Sequence, residues 1–300
     1  MIIPGLHHIT AISGPPQQNV DFYVSALKQR LVKKTVNFDD SGTYHLYYGD
    51  NAGTPGTILT FFPFVDAGPG RAGPGMASAF AYTLAPGGLD PLMTHLAGEG
   101  LDFDGPAERF GRPMITVHDP DGLAVEFIEA DTTEGAFHSV TLWERDPDKT
   151  AKILTDIFGY TAAGTERTGT TERLRFASPS GDAASMVDII RSDAPSIGRQ
   201  GAGTIHHVAF RAETDEIQKT WQERVRAAGL DVTPVIDRQY FNAIYFREPG
   251  GVLFEIATDP PGFAVDEPVE TMGAALKLPP RYEENRARIE QILPPLKVPA

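Results

Sequence analysis

The 300-residue chain is 41% hydrophobic and 22% charged, the balance of an ordinary soluble globular protein, and its length suggests two domains or one large one. A net charge of −14 argues against a nucleic-acid partner, and no apolar run is long enough to span a bilayer. The absence of cysteine excludes disulfides, thiolate nucleophiles and cysteine-held zinc, and the start MIIPGLHH lacks a basic n-region, so a cytoplasmic location is expected.

In chain order, GLHHIT reads as a strand with adjacent histidines at 7 and 8. A helix with Val20, Tyr23, Leu27 and Leu31 on one face follows, then strands in YHLYYGD and GTILTFFPF. Beyond a Gly/Pro-rich connector at 65–75, MASAFAY reads as a strand. Asp90 and Pro91 then open a helix closed by Gly98 or Gly100, and about three strands end in AVEFIEA. GAFHSVTL begins a third unit, with a helix between Asp146-Pro147 and Gly159 and strands in ERLRFAS and ASMVDII. A second Gly/Pro-rich connector, 191–203, leads to TIHHVAF. The next helix, Thr214 to Ala228, places Ile217, Trp221 and Val225 on one face, with Thr214 as N-cap and Gly229 as C-cap, and the strands after it end in VLFEIA. Neither connector has the lysine and hydroxyl residue of a phosphate-binding loop. The charged tail contains a predicted helix, RYEENRARIEQIL, expected to cover a module.

These units repeat. HDPDGLAVEFIEA at 118–130 matches REPGGVLFEIATD at 247–259, and the same offset of 129 carries Arg109 onto Arg238 and MASAFAY onto IHHVAFR. The chain therefore reads as an α+β protein of four βαβββ modules in two tandem domains. Residues 1–132 hold modules 1 and 2, 133–262 hold modules 3 and 4, and 263–300 form a tail.

Aligning the modules brings His8, Ser78, His138 and His207 into register on the first strands, and Thr60, Glu126, Asp188 and Glu255 on the last. Most of these groups bind hard or borderline divalent metals. A lone strand histidine is more often a core residue, but a carboxylate in an apolar strand such as VLFEIA needs a cation or strong donors. Neighbouring strand residues point to opposite faces, so one histidine of each pair is expected to face the cavity, and phase with His138 selects His8 and His207. If module 1 faces module 4, the cavity holds His8, His207 and Glu255 with Thr60 in the fourth place, the two-His, one-carboxylate face of non-haem Fe(II) oxygenases. If module 3 faces module 4, it holds His138, His207, Glu255 and Asp188, closer to an isomerase centre. The echo between the two histidine pairs favours the first.

The stretches GLHHIT, YHLYYGD followed by GTPGT, ERFGRP, AFHS, TIHHVAF and PGGVLFE resemble the vicinal oxygen chelate superfamily, which includes glyoxalase I and the extradiol dioxygenases. More narrowly, the chain resembles bacterial dioxygenases that open hydroquinones and chlorohydroquinones. The resemblance runs from residue 5 to 255 and implies Fe(II), with Mn(II) as the alternative ion, on His8, His207 and Glu255. It also implies Arg238 and Tyr245 near the substrate and His7 and His206 near the metal. The expected partners are a small aromatic substrate and O₂, and the expected assembly is a homo-oligomer without nucleic acid or membrane. His206 or His7 would serve as general base, Tyr245 as a proton donor, and Arg238 would suit an anionic substrate or product. His45 and His118 read as structural, and Glu126, Asp188 and His138 as a hydrogen-bonded cluster in preference to a vestigial second site. The competing functions are a catechol-type extradiol enzyme, a glyoxalase-like isomerase or lyase, and a drug-sequestering binding module.

Overall fold

The structure, a computed structural model, describes residues 1–131, 133–191 and 197–299. Module 1 comprises β1 (Leu6–Ser13), α1 (Pro16–Val20), β2 (Arg30–Val36), β3 (Tyr44–Gly49) and β4 (Ile58–Pro63). Module 2 comprises β5 (Met76–Leu84), α2 (Leu89–Gly98), β6 (Phe103–Arg109), β7 (Arg112–His118) and β8 (Ala124–Glu129). Module 3 comprises β9 (Phe137–Trp143), α3 (Pro147–Lys152), β10 (Thr161–Thr168), β11 (Thr171–Ala177) and β12 (Met186–Arg191). Module 4 comprises β13 (Thr204–Ala212), α4 (Asp215–Ala227), β14 (Ile236–Asp237), β15 (Phe241–Arg247) and β16 (Leu253–Pro261). The βαβββ order expected from the repeat holds in all four. Part of the 191–203 connector lies outside the described residues.

Helix α4 shows why the pattern folds as it does. The Thr214 side chain accepts a hydrogen bond from the Ile217 N–H at 3.3 Å, satisfying one of the donors a helix start leaves open. Trp221 and Val225 are fully buried. A side chain the size of Val225 contributes roughly 1.5–3 kcal/mol when it leaves water. Module 1 differs from expectation. Its helix continues as a π-helical turn over Asp21–Ala26 and ends before Lys28, which adopts φ 57°. Leu31 therefore lies in β2, a strand the sequence concealed because it buries a lysine: Lys33 is fully buried and donates to Asp266 at 2.7 Å and Glu267 at 2.8 Å. The predicted tail helix is divided at Asn285 into α5 (Pro280–Glu283) and α6 (Arg286–Ile292). The tail packs on module 1, as Arg281 and Tyr282 both donate to the Phe38 carbonyl.

The strands form two 8-stranded sheets, β14-β15-β16-β13-β1-β4-β3-β2 and β10-β11-β12-β9-β5-β8-β7-β6. In each, two modules meet edge to edge through their antiparallel first strands, β1 with β13 and β9 with β5. Modules 1 and 4 thus share one sheet, modules 2 and 3 the other, and each half of the chain contributes to both. The pairing left open by the sequence is resolved. His138 and Asp188 lie in the second sheet, so they do not join His207 and Glu255, and the four-ligand arrangement does not form. A contiguous core that includes Phe80, Phe137, Phe158, Phe210 and Phe254 ties the two sheets together.

Candidate active site

His8 and His207 face each other across the β1–β13 seam, and the parallel neighbour of β13 supplies Glu255, opposite Ala209. His8 Nε2 lies 3.3 Å from His207 Nε2, and Glu255 Oε2 lies 3.4 Å from the first and 2.9 Å from the second. The three side chains are buried, and their candidate ligand atoms lie within 4.8 Å of one another, the one such cluster found among the described residues.

The seam is irregular where the histidine pairs fall. The β1–β13 register shifts between Leu6 and His8 and again between Thr10 and Ala11, opposite His207 and Ile205, so His7 and His206 are the extra residues. A bulge of this kind re-aims side chains beside a site. Its consequence corrects strict alternation: His206 lines the same cavity as His207, although the two are adjacent in sequence. His7 does not line that cavity. It packs against Phe241, with ring centroids 5.3 Å apart.

The same geometry answers why the histidines come in pairs. His7 Nδ1 is 2.9 Å from His8 Nδ1, and His206 Nδ1 is 2.8 Å from His207 Nδ1. For His8 and His207 to present lone pairs at Nε2, each must carry its proton on Nδ1, and the preceding histidine accepts it. Outer partners of this type fix the tautomer and orientation of metal-binding imidazoles. Both partners must be uncharged, and burial, reinforced by the neighbouring imidazole, pushes His206 down to about 3 and His7 well below the usual histidine range. With Nδ1 occupied, His206 has an Nε2–H to offer the cavity.

The donor set fits a divalent metal. Although Glu255 is fully buried, neither of its carboxylate oxygens receives a properly oriented hydrogen bond from a described residue. Burial raises its pKa, but the positive charge that His8 and His207 carry when protonated more than offsets this and holds the carboxyl well below its ordinary range. An ionised carboxylate without donors, facing two imidazole nitrogens, is stabilised by a cation placed among them.

His8 and His207 line a cavity of about 600 Å³. Tyr245, directly opposite Glu255 in the β15–β16 ladder, and Arg238 both line it. Arg238 Nε donates to the Tyr245 hydroxyl at 3.2 Å, and its Nη1 donates to Asp39 at 3.0 Å. Burial, with the nearby Glu255 charge, pushes the Tyr245 phenol well above its usual value, so it keeps its proton. Burial opposes the charge on Arg238, but Tyr245 and Asp39 more than compensate.

His45 also lines the cavity, contrary to its reading as structural. Tyr47 OH lies 2.8 Å from His45 Nδ1, and Thr60 Oγ1 lies 2.9 Å from His45 Nε2 and 2.8 Å from Thr10 Oγ1. The signal was present in YHLYYGD: two-residue periodicity puts His45 and Tyr47 on one face, and Tyr47 pairs with Thr60. His118 is half exposed near Asp104.

The chain matches the model of the glyoxalase/bleomycin resistance protein/dioxygenase superfamily over residues 5–127 and 136–256. The chain belongs to this superfamily. MhqO of Bacillus subtilis (strain 168), named provisionally as a ring-cleaving dioxygenase, is 46% identical over 98% of this chain and 97% of its own. The chlorohydroquinone/hydroquinone 1,2-dioxygenase of Sphingobium indicum is 34% identical over 94% of this chain and 93% of its own. A crystal structure of a B. subtilis protein provisionally named a dioxygenase superposes with a TM-score of 0.93 at 44% identity, covering 99% of both chains. Glyoxalase I from Zea mays shares the fold at TM-score 0.66 and 14% identity, covering 85% of this chain and 92% of its own. With end-to-end relatives of this kind, the chain is an enzyme of the dioxygenase group.

Proposed function

We propose that this enzyme opens the ring of a para-dihydroxybenzene with O₂, using Fe(II) held by His8, His207 and Glu255. The observation that carries the reading is the donor-free, fully buried Glu255 carboxylate beside the imidazole nitrogens of His8 and His207, which line a cavity. The named activity of the Sphingobium relative supports the substrate class. When bound, Fe(II) supplies the one-electron chemistry that the spin-forbidden reaction of an electron-rich ring with O₂ requires; Mn(II) is the competing ion.

The chain's own groups do the rest. A hydroquinone's hydroxyls lie para, so only one can reach the metal end and the other must be held by the protein. Tyr245 keeps its phenolic proton and donates it to a ring hydroxyl or its oxyanion. Arg238 steadies the Tyr245 oxygen and brings a positive charge that favours an anionic substrate or product. His206, uncharged, offers a third donor, which makes donation its role in preference to general-base work. Phe38, Phe62, Phe64 and Phe241 supply apolar walls that exclude water from the ring.

O₂ uptake by protein loaded anaerobically with Fe(II) tests the reading. Stoichiometric uptake with hydroquinones exceeding that with catechols is expected. Faster uptake with catechols would overturn the para assignment, and no uptake with either would overturn ring cleavage.

A further inference from the structure

We infer that the substrate site continues into a second, outer chamber, and that the ring it accepts carries an apolar chain. This rests on the ring-cleaving reading of the inner cavity. The outer chamber holds about 830 Å³ and meets the inner one at shared wall residues Ile12, Phe64 and Gln200. An inner cavity of about 600 Å³ already suits a ligand larger than one dihydroxy ring, since pockets of roughly 300–1,000 Å³ enclose drug-sized molecules.

The wall that the two chambers share is largely apolar. Gln200 turns both ends of its amide into the protein, donating from Nε2 to the Ile205 carbonyl at 3.3 Å and accepting at Oε1 from Thr204 Oγ1 at 2.9 Å. Only its stem is left to stand beside Ile12 and Phe64. Beyond this shared wall, two aliphatic side chains from different parts of the chain line the outer chamber: Val65, just past β4, and Ile292, at the end of α6. Both are large hydrophobics left exposed, at 53% and 54%. The wall that carries Ile292 is held in place, as Tyr44 OH donates to the Pro294 carbonyl at 3.0 Å. The C-terminal tail therefore forms part of an apolar strip in a chamber that also carries Thr43, Asp66 and Arg199, and that chamber adjoins the cavity lined by His8 and His207. An alkyl or similar hydrocarbon chain on the ring fits the strip formed by Ile12, Phe64, Val65 and Ile292.

The test is a chain-length series. Dissociation constants of hydroquinone and its 2-methyl, 2-butyl and 2-hexyl derivatives are measured anaerobically by calorimetry, which needs no turnover. Affinity should rise roughly two- to fourfold per methylene, as expected for burial of hydrocarbon. In a Val65→Glu/Ile292→Glu double variant that slope should flatten. Both positions are exposed, so folding should be retained, and circular dichroism checks it. Affinity independent of chain length would overturn the inference. So would an unchanged slope in the double variant, including one accompanied by a change of oligomeric state in light scattering, since these residues would then cover a second copy. A slope that flattens in the variant while no hydroquinone drives O₂ uptake would support the chamber and remove the ring-cleaving reading instead.

Discussion

At the seam of one sheet stand His8, His207, Thr60 and Glu255; at the matching seam of the other stand Ser78, His138, Glu126 and Asp188. The strand plan is the same, and both seams contain register shifts. The charges are resolved in opposite ways. In the second sheet Asp188 accepts from Arg175 Nε at 2.8 Å, Arg175 Nη2 at 2.9 Å and Arg173 at 3.2 Å. Glu126 accepts from both terminal nitrogens of Arg109. Phe110 closes over the group, its ring 4.1 Å from the Arg175 guanidinium. Resident guanidinium groups thus satisfy the carboxylates of one seam, whereas Glu255 is left without donors beside His8 and His207, which line a cavity. One strand arrangement supports two outcomes, a structural ion-pair core and a site whose donor set fits a cation.

The comparison predicts different responses to losing an acid. Asp188→Ala should strand Arg175 and Arg173 in the interior and cost about 3–5 kcal/mol in urea unfolding, the usual penalty for breaking a buried pair. A loss under 1 kcal/mol would mean that the second seam is not an ion-pair core. In the first seam the sensitive quantity is chemistry. Tyr245→Phe should lower turnover roughly ten- to a hundredfold with metal content unchanged, because one hydrogen bond to bound substrate is worth on the order of 1–3 kcal/mol. Parental turnover would remove Tyr245 from the reaction.

The second seam should also respond to pH. Burial and the adjacent Arg175 push His138 down to about 3, so it stays neutral in the fold. The unfolded chain takes up that proton below about pH 6.5, so the stabilisation is complete above this pH and declines as pH falls toward 3. Between pH 6.5 and 5 this single group should account for a loss of roughly 2 kcal/mol, at about 1.4 kcal/mol per pH unit. His138→Asn should show a correspondingly shallower decline in urea titrations, and equal slopes would contradict the assignment. The smallest effect is expected at Glu255. In chelator-treated protein Glu255→Gln should cost on the order of 1 kcal/mol, well short of Asp188→Ala, because its imidazole neighbours can shed their protons once the carboxylate is gone and the guanidinium groups around Asp188 cannot. A loss near that of Asp188→Ala would erase the contrast between the two seams.

Much of this was legible in the residues. The constant offset exposed the modules, and the histidines and acids in register marked both seams before any pairing was known. What remained hidden depends on contacts between distant segments. Strand β2 was missed because its buried Lys33 is neutralised by Asp266 and Glu267, more than 200 positions away. Strict alternation would turn His206 to the far face, because a bulge is invisible to that rule, and only the resemblance put it near the metal. The satisfaction of Glu126 and Asp188 turns on Arg109, Arg173 and Arg175, whose orientation no spacing reveals. His45 was recoverable, since its alternation with Tyr47 was plain once Thr60 had been placed in register with Glu255.

The central claim is that only the first seam takes a metal. Metal analysis after anaerobic Fe(II) loading and desalting tests it most directly, on the parent protein, His8→Ala and His138→Ala. The account predicts one equivalent per chain in the parent and in His138→Ala, and almost none in His8→Ala. Loss of metal in His138→Ala with retention in His8→Ala, or two equivalents in the parent, would contradict it.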